Sequence, residues 1–161
     1  MADQFVGTIR RAYAEHRDGL FTYALALTGN REAAEDAIQS VFASLLRKRR
    51  CPREIRPYLF RCVRNAAIDE NRSRRQATAR EGLFAEANGS VTEAEWHRYE
   101  DLQQALDALG DDERECIVLK LMNGLTFREI SVAKRVSVNT AASWYRRGLD
   151  KIRAHLEEEA E

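Results

Sequence analysis

Residues 125–153 read LTFREISVAKRVSVNTAASWYRRGLDKIR, and this stretch decides the fold. Thr126 precedes a short apolar series, Phe127, Ile130 and Ala133. Ser137 precedes a longer one, Ala141, Tyr145, Leu149, Ile152 and Leu156. Threonine and serine are favoured N-caps, and the spacing is that of an amphipathic helix. A short helix, a tight turn and a longer helix make a helix-turn-helix. The second helix of such a unit presents its N-terminal half to the major groove while its other face packs inward. Subtracting the inner positions leaves Asn139, Thr140, Ser143, Arg146 and Arg147 facing out. Amide, hydroxyl and guanidinium groups suit contacts to phosphates and base edges. An ordinary helical hairpin with a solvated face has the same pattern, so the wider chain must arbitrate.

Upstream, Asp111 opens a helix running through Ile117, Val118, Leu121 and Met122 and ended by Asn123-Gly124. Leu102, Ala105, Leu106 and Leu109 form an earlier stripe, with Gly110 as its expected C-cap. Thr92 and Glu95 have the spacing of a capping box for that stripe. Helical periodicity fades through residues 78–92, which are expected to form a flexible linker between two lobes. Before it, Ala34, Ala37, Ile38, Val41, Phe42 and Leu45 predict a helix over residues 31–47, after a turn at Thr28-Gly29-Asn30. A second helix starts near Pro57 and buries Ile55, Tyr58, Leu59, Cys62, Val63 and Ala66, while Arg56, Arg61, Arg64, Arg72 and Arg75 point elsewhere. Residues 47–54, RKRRCPRE, form the loop between them, and Tyr13 through Leu27 supply one or two shorter helices. No strand pattern competes. The fold class is all-α: two small helical domains joined by a flexible linker, the C-terminal one a helix-turn-helix.

The formal net charge is zero, but its distribution along the chain is uneven. Residues 47–80 carry twelve Arg/Lys against three acids, and residues 81–118 carry two against eleven. A basic block beside an acidic one points to a polyanion-binding face next to an acidic spacer, though a solvated helical surface shares that polarity. No apolar run reaches the ~18–20 residues of a membrane span. The N-terminus lacks a signal-like stretch, so a cytoplasmic location without membrane insertion is expected. Three cysteines and three histidines are dispersed without metal-ligand spacing, so no metal and no cofactor are expected. The phosphate-binding GxxxxGK loop and the nucleophile elbow GxSxG are both missing, which argues against an enzyme.

Residues 31–46, REAAEDAIQSVFASLL, and 57–75, PYLFRCVRNAAIDENRSRR, resemble the promoter-melting domain of bacterial RNA polymerase sigma factors. The helix-turn-helix, led by LQQALDALGDDERECIVLKLMNG, resembles their second DNA-binding domain. The order and spacing are similar to the extracytoplasmic-function (ECF) class, and the resemblance covers nearly all of residues 8–156. It implies a region 2-like domain at 1–77, a linker at 78–92 and a region 4-like domain at 93–161. It further implies a factor that binds core RNA polymerase through the β′ clamp helices and the β flap, and that directs promoter-specific initiation by reading −35 duplex and melting the −10 element. Asp36 and Gln39 match the family's clamp-contacting pattern. Arg49 and Arg50 lie in the loop that would capture an unstacked −10 base, and Arg61, Asn65, Asp69, Arg72 and Arg75 continue that surface, with Arg74 beside them. Asn139, Thr140, Ser143, Arg146 and Arg147 would read the −35 duplex. An anti-sigma factor is a further partner the family implies.

The sequence also departs from the family pattern. Lys134-Arg135 stands where the turn usually has Leu-Gly, and arginine disfavours positive φ. Ala142 and Trp144 stand where basic residues usually face DNA, and Ser40 replaces an acidic residue after Gln39. Two other readings therefore stay open: a helix-turn-helix regulator that does not engage polymerase, and a polymerase-binding protein with weak promoter recognition.

Overall fold

A computed structural model of the chain describes residues 2–73 and 104–161. The expected linker over 78–92, the Thr92/Glu95 cap, Leu102, Arg74 and Arg75 lie outside the described residues. Helix α1 runs unbroken over Ala2–Thr28, where one or two shorter helices were expected. No proline interrupts it. Its glycines each cost only about 1 kcal/mol relative to alanine, which its packing offsets. Gly29 then takes φ 64°, and Asn30 caps α2 (Arg31–Lys48) by accepting the Ala33 N–H at 2.9 Å. Arg49 closes α2 in the left-handed region at φ 49°, its N–H bonded to the Leu45 carbonyl. The loop through Glu54 leads into α3 (Ile55–Ser73), with Pro57 in the first turn, where its missing N–H has no partner to lose. The three helices pack around Leu20, Tyr23, Ala34, Val41, Leu59 and Val63.

In the C-terminal unit Ala105, Leu106 and Leu109 are buried as their stripe predicts. Gly110 is not a C-cap. At φ −65° it is the N-cap of α4 (Asp111–Ile117), and the Glu113 carboxylate accepts its N–H. Leu121 and Met122, apolar positions near the end of the expected helix, are both exposed. Here α4 widens into a π-helical turn over Val118–Met122, closed by a bond from the Leu125 N–H to the Leu119 carbonyl. The wider turn brings Leu119 and Leu125 inward and rotates Leu121 and Met122 out. Helix α5 (Phe127–Lys134) carries the predicted capping box between Thr126 and Glu129. Helix α6 (Val138–Ala160) starts at the predicted Ser137 cap. Its inner face is Ala141, Tyr145, Leu149 and Ile152, whereas Leu156 is half exposed, so that expectation ran one turn too far. Gly148 sits on the same face, against Ile117.

Apolar packing continues from one unit into the other. One buried cluster joins Tyr23, Leu59, Phe60 and Val63 to Cys116, Leu119, Leu125 and Ile130. Helix α3 lies on α5, and α5 lies on α6. The two expected lobes are therefore docked on each other.

A Cβ at Gly148 would stand 2.9 Å from Ile117 Cγ1, so this glycine permits the close approach of α6 to α4. Replacing Gly148 with leucine is expected to destabilise the protein by about 1–3 kcal/mol in urea titrations, as overpacking generally does. An unchanged midpoint would show that α6 can retreat without loss.

Candidate nucleic-acid interface

The helix-turn-helix forms with the predicted caps, but its turn is unusual. Arg135 occupies φ 57°, the conformation that favours glycine, and its N–H bonds to the Ser131 carbonyl. The departure from Leu-Gly is thus absorbed by strain at Arg135. Lys134 compensates from the buried side of the turn: its ammonium pairs with Asp112 at 2.9 Å and Glu115 at 3.0 Å. The same ammonium lies 5.0 Å from the centre of the Trp144 ring. Trp144 is half-buried, its ring packed against the core beside this charge. The sequence alone left Trp144 open between an altered −35 contact and packing against another surface such as a partner, and here the ring packs within its own chain.

On the outer face of α6, Asn139, Arg146 and Arg147 are exposed. Thr140 and Ser143 are half-buried. Thr140 is partly engaged, since its hydroxyl accepts from Ser137 Oγ at 2.9 Å and its N–H closes the cap. Of the five predicted reading residues, Asn139 and the two arginines are thus the freest to reach a duplex.

The second candidate surface lies on α3. Asn65 and Asp69 are one helical turn apart and exposed, and both line a groove of about 390 Å³ between α2 and α3. Tyr58, Cys62, Ser40, Ser44 and Lys48 share it. Cys62, expected in the core, is half-buried at this groove, and the fully buried cysteine is Cys116. Burial pushes the Cys116 thiol up to about 11, which makes it an inert core group. Arg61 is half-buried beside the groove, Arg72 is exposed near the end of α3, and Arg49 and Arg50 are exposed where α2 ends. On the opposite side Gln39 is exposed in a shallow depression of about 420 Å³ with Tyr13, Arg17, Phe21 and Ile38, while Asp36 is half-buried nearby on α2. No cluster of His, Cys, Asp and Glu among the described residues is suited to hold a metal. No helix among them is long and apolar enough to cross a membrane.

Sequence reading missed the groups between the lobes. Glu115, on α4, accepts from Tyr23 Oη at 2.8 Å and from Arg64 Nε at 2.8 Å, besides its pair with Lys134. Burial and the Glu115 carboxylate both push the Tyr23 phenol well above its usual range, so it remains a donor. Arg56 donates to the Asn123 carbonyl at 2.7 Å and pairs with Glu129 at 3.5 Å. Arg128 pairs with Glu54 at 2.8 Å. Arg56 and Arg64 were expected to face away from the core, and they face the other lobe instead. Their helical phase on α3, adjacent to Phe60 and Ala67, was the available signal.

Sigma-70 region 2 matches residues 12–77, and Sigma-70 region 4 matches residues 99–152. The RNA polymerase sigma factor CarQ of Myxococcus xanthus is 30% identical over 91% of this chain and 87% of its own length. Two solved structures share the fold. One is CnrH in complex with the cytosolic domain of CnrY, at TM-score 0.71 and 21% identity over 98% of this chain and 95% of that one. The other is RpoE with the anti-sigma factor NepR from Bartonella quintana, at TM-score 0.73 and 18% identity over 92% and 96%. The chain belongs to the sigma-70 family of RNA polymerase sigma factors, in its ECF class. As a member it binds core RNA polymerase and directs promoter-specific transcription initiation.

Two outcomes follow from the helix-turn-helix geometry. Arg135→Gly should raise the unfolding midpoint, because a non-glycine residue in the left-handed region costs about 1–2 kcal/mol. An unchanged or lower midpoint would mean the turn carries no strain. Arg146→Ala with Arg147→Ala should weaken duplex binding and flatten the dependence of log K on log salt by about 2, one phosphate contact for each arginine. An unaltered salt slope would remove both from the DNA surface.

Proposed function

We propose that residues 1–77 act as the region 2 domain and residues 93–161 as the region 4 domain, with 78–92 connecting them, and that they divide promoter recognition between them. Asn139, Thr140, Ser143, Arg146 and Arg147 read the −35 duplex, with most of the work on Asn139 and the two arginines. Arg49, Arg50, Arg61, Asn65, Asp69, Arg72 and Arg75 hold the −10 strand as it separates. The observation that carries this reading is the groove between α2 and α3. Asn65 and Asp69 line it one helical turn apart, Lys48 lines it from the end of α2, and the exposed Arg49 and Arg50 follow Lys48 in the chain. An amide and a carboxylate in the groove with cations nearby suit an unstacked base and its phosphate. Extruding that base costs only a few kcal/mol, which such contacts can offset.

Asp36 and Gln39 are the polymerase contacts in this reading, on the face of α2 turned away from the −10 groove. The protein works as a DNA-binding initiation factor in the cytoplasm and performs no covalent chemistry itself. An anti-sigma partner fits the same scheme. The structures it resembles were solved with CnrY and with the anti-sigma factor NepR. Packing of Trp144 on Lys134 also keeps alive a narrower reading, in which polymerase contacts persist but −35 discrimination is weak.

Run-off transcription from a library of promoter fragments, with purified core polymerase plus or minus the protein, tests the reading. Protein-dependent transcripts sharing −35-like and −10-like sequences support it. Core binding without transcripts would favour the narrower reading. Arg61→Ala with Asn65→Ala should leave core binding intact and reduce permanganate reactivity of promoter thymines about tenfold or more, a loss of ~1.4 kcal/mol or above. Loss of core binding instead would make those residues structural.

A further inference from the structure

The first turn of α6 turns an apolar side chain toward solvent. Val138, the residue that opens the helix, is 45% exposed. One exposed valine says nothing by itself. Its neighbours on the helix give it a context. Ala142 stands four residues on and Arg146 four beyond that, so the three share one stripe along α6. Ala142 is half-buried on that stripe, and Arg146 is exposed. Asn139 lies beside it, exposed, one turn before Ala142.

Other side chains of these turns are already engaged. The Ser137 hydroxyl accepts the Thr140 N–H as the helix cap and lies 2.9 Å from Thr140 Oγ. Trp144 packs on the core beside the Lys134 ammonium. From Val138 through Tyr145 the helix carries no cation. Its first two turns therefore offer a duplex one free amide, one isopropyl group and one methyl group.

That set of groups has a base preference. In the major groove guanine presents two acceptors, which arginine and lysine match best. Adenine presents an acceptor beside a donor, which an asparagine amide matches, and thymine adds a methyl group on which apolar side chains pack. The N-terminal residues of a recognition helix are the ones that reach base edges. Arg146 stands about 12 Å along the axis from Val138, the length of some three to four base pairs. A cation suited to guanine is thus absent from the part of α6 where bases are met.

We propose that Val138 and Ala142 are specificity-determining residues that read thymine methyl groups in the −35 duplex, with Asn139 on a neighbouring adenine. The N-terminal half of α6 then selects A·T over G·C pairs, and Arg146 and Arg147 hold the duplex farther along. This inference rests on the functional reading above and names the base pairs that its −35 surface prefers. The contact is apolar and displaces no counterion from a phosphate, so it sets sequence preference without altering the salt dependence of binding.

Deoxyuridine lacks only the thymine methyl, and it supplies the test. In a promoter recovered from the run-off assay, each −35 thymine on either strand is replaced in turn, and binding of the holoenzyme is measured. One or two replacements should weaken binding about three- to fourfold, the worth of roughly one buried methyl group. Holoenzyme carrying Val138→Ala should be indifferent to uracil at one of those positions, with an unchanged slope of log K against log salt. Val138 is exposed and alanine is the better helix former, so that variant folds. Ala142→Arg should exchange thymine for guanine at the other position when −35 duplexes are selected from a randomised pool. A −35 element without thymine overturns the proposal, as does indifference of the unmodified holoenzyme to every uracil. A uracil effect that persists undiminished in both variants overturns it as well. Absence of any protein-dependent transcript would instead fail the functional reading, and this inference with it.

Discussion

A single buried carboxylate organises this molecule. Removing Glu115 from water is costly unless its charge is met, and three donors from three helices meet it. Tyr23 can serve only because it keeps its proton, which burial and the carboxylate itself ensure. Lys134 can serve only because α5 ends where it does, with Arg135 accepting a strained left-handed turn. The strain and the buried charge thus belong to one arrangement. A Leu-Gly turn would relieve the first and leave Glu115 without its partner from its own lobe.

The same arrangement reassigns Trp144. On the recognition helix its position suits a DNA contact, yet the indole is turned toward the Lys134 ammonium and the core. The exposed cations that remain on α6 near it are Arg146 and Arg147, and on the proposed reading they would supply the positive charge for the duplex. The helix-turn-helix has given up one outward cation and used the space for a ring that covers an inward one. Asn139, near the start of α6, is the exposed amide on the same helix, and on the proposed reading it would discriminate between base pairs.

Local signals were legible where one residue acts on its own neighbours. Thr126, Ser137 and the turn ahead of Arg31 were readable because an N-cap bonds a backbone group a few residues away. Which of its residues α6 exposes was partly readable by subtraction, since the helical period leaves Asn139, Arg146 and Arg147 outside, though Thr140 and Ser143 are half-buried. The π-turn was not, because apolar spacing through Leu121 and Met122 fits a regular helix and nothing in the local sequence marks the wider turn. Gly110 failed for a related reason: glycine suits both a C-cap and an N-cap, and here Glu113 decided for the latter. The helical period turns Arg56 and Arg64 away from the apolar face of α3 but cannot name what they meet, since their partners lie 67 and 51 positions away in the chain. No window of sequence contains such pairs.

The polarity of the interface between the lobes bears on how it can function. An interface made only of Leu59, Phe60, Leu119 and Ile130 would gain from burial in proportion to area and would have little reason to open. Inserting charged groups changes that balance. Arg64 and Glu115 must be desolvated to dock, so their attraction is largely offset. Separation returns Arg64 and the Tyr23 hydroxyl to water while Lys134 still neutralises Glu115, so neither lobe is left with an unpaired buried charge. A contact built this way specifies one docked geometry without making it very tight. Apolar contacts alone would supply affinity with less orientation, and an exposed ion pair would supply neither.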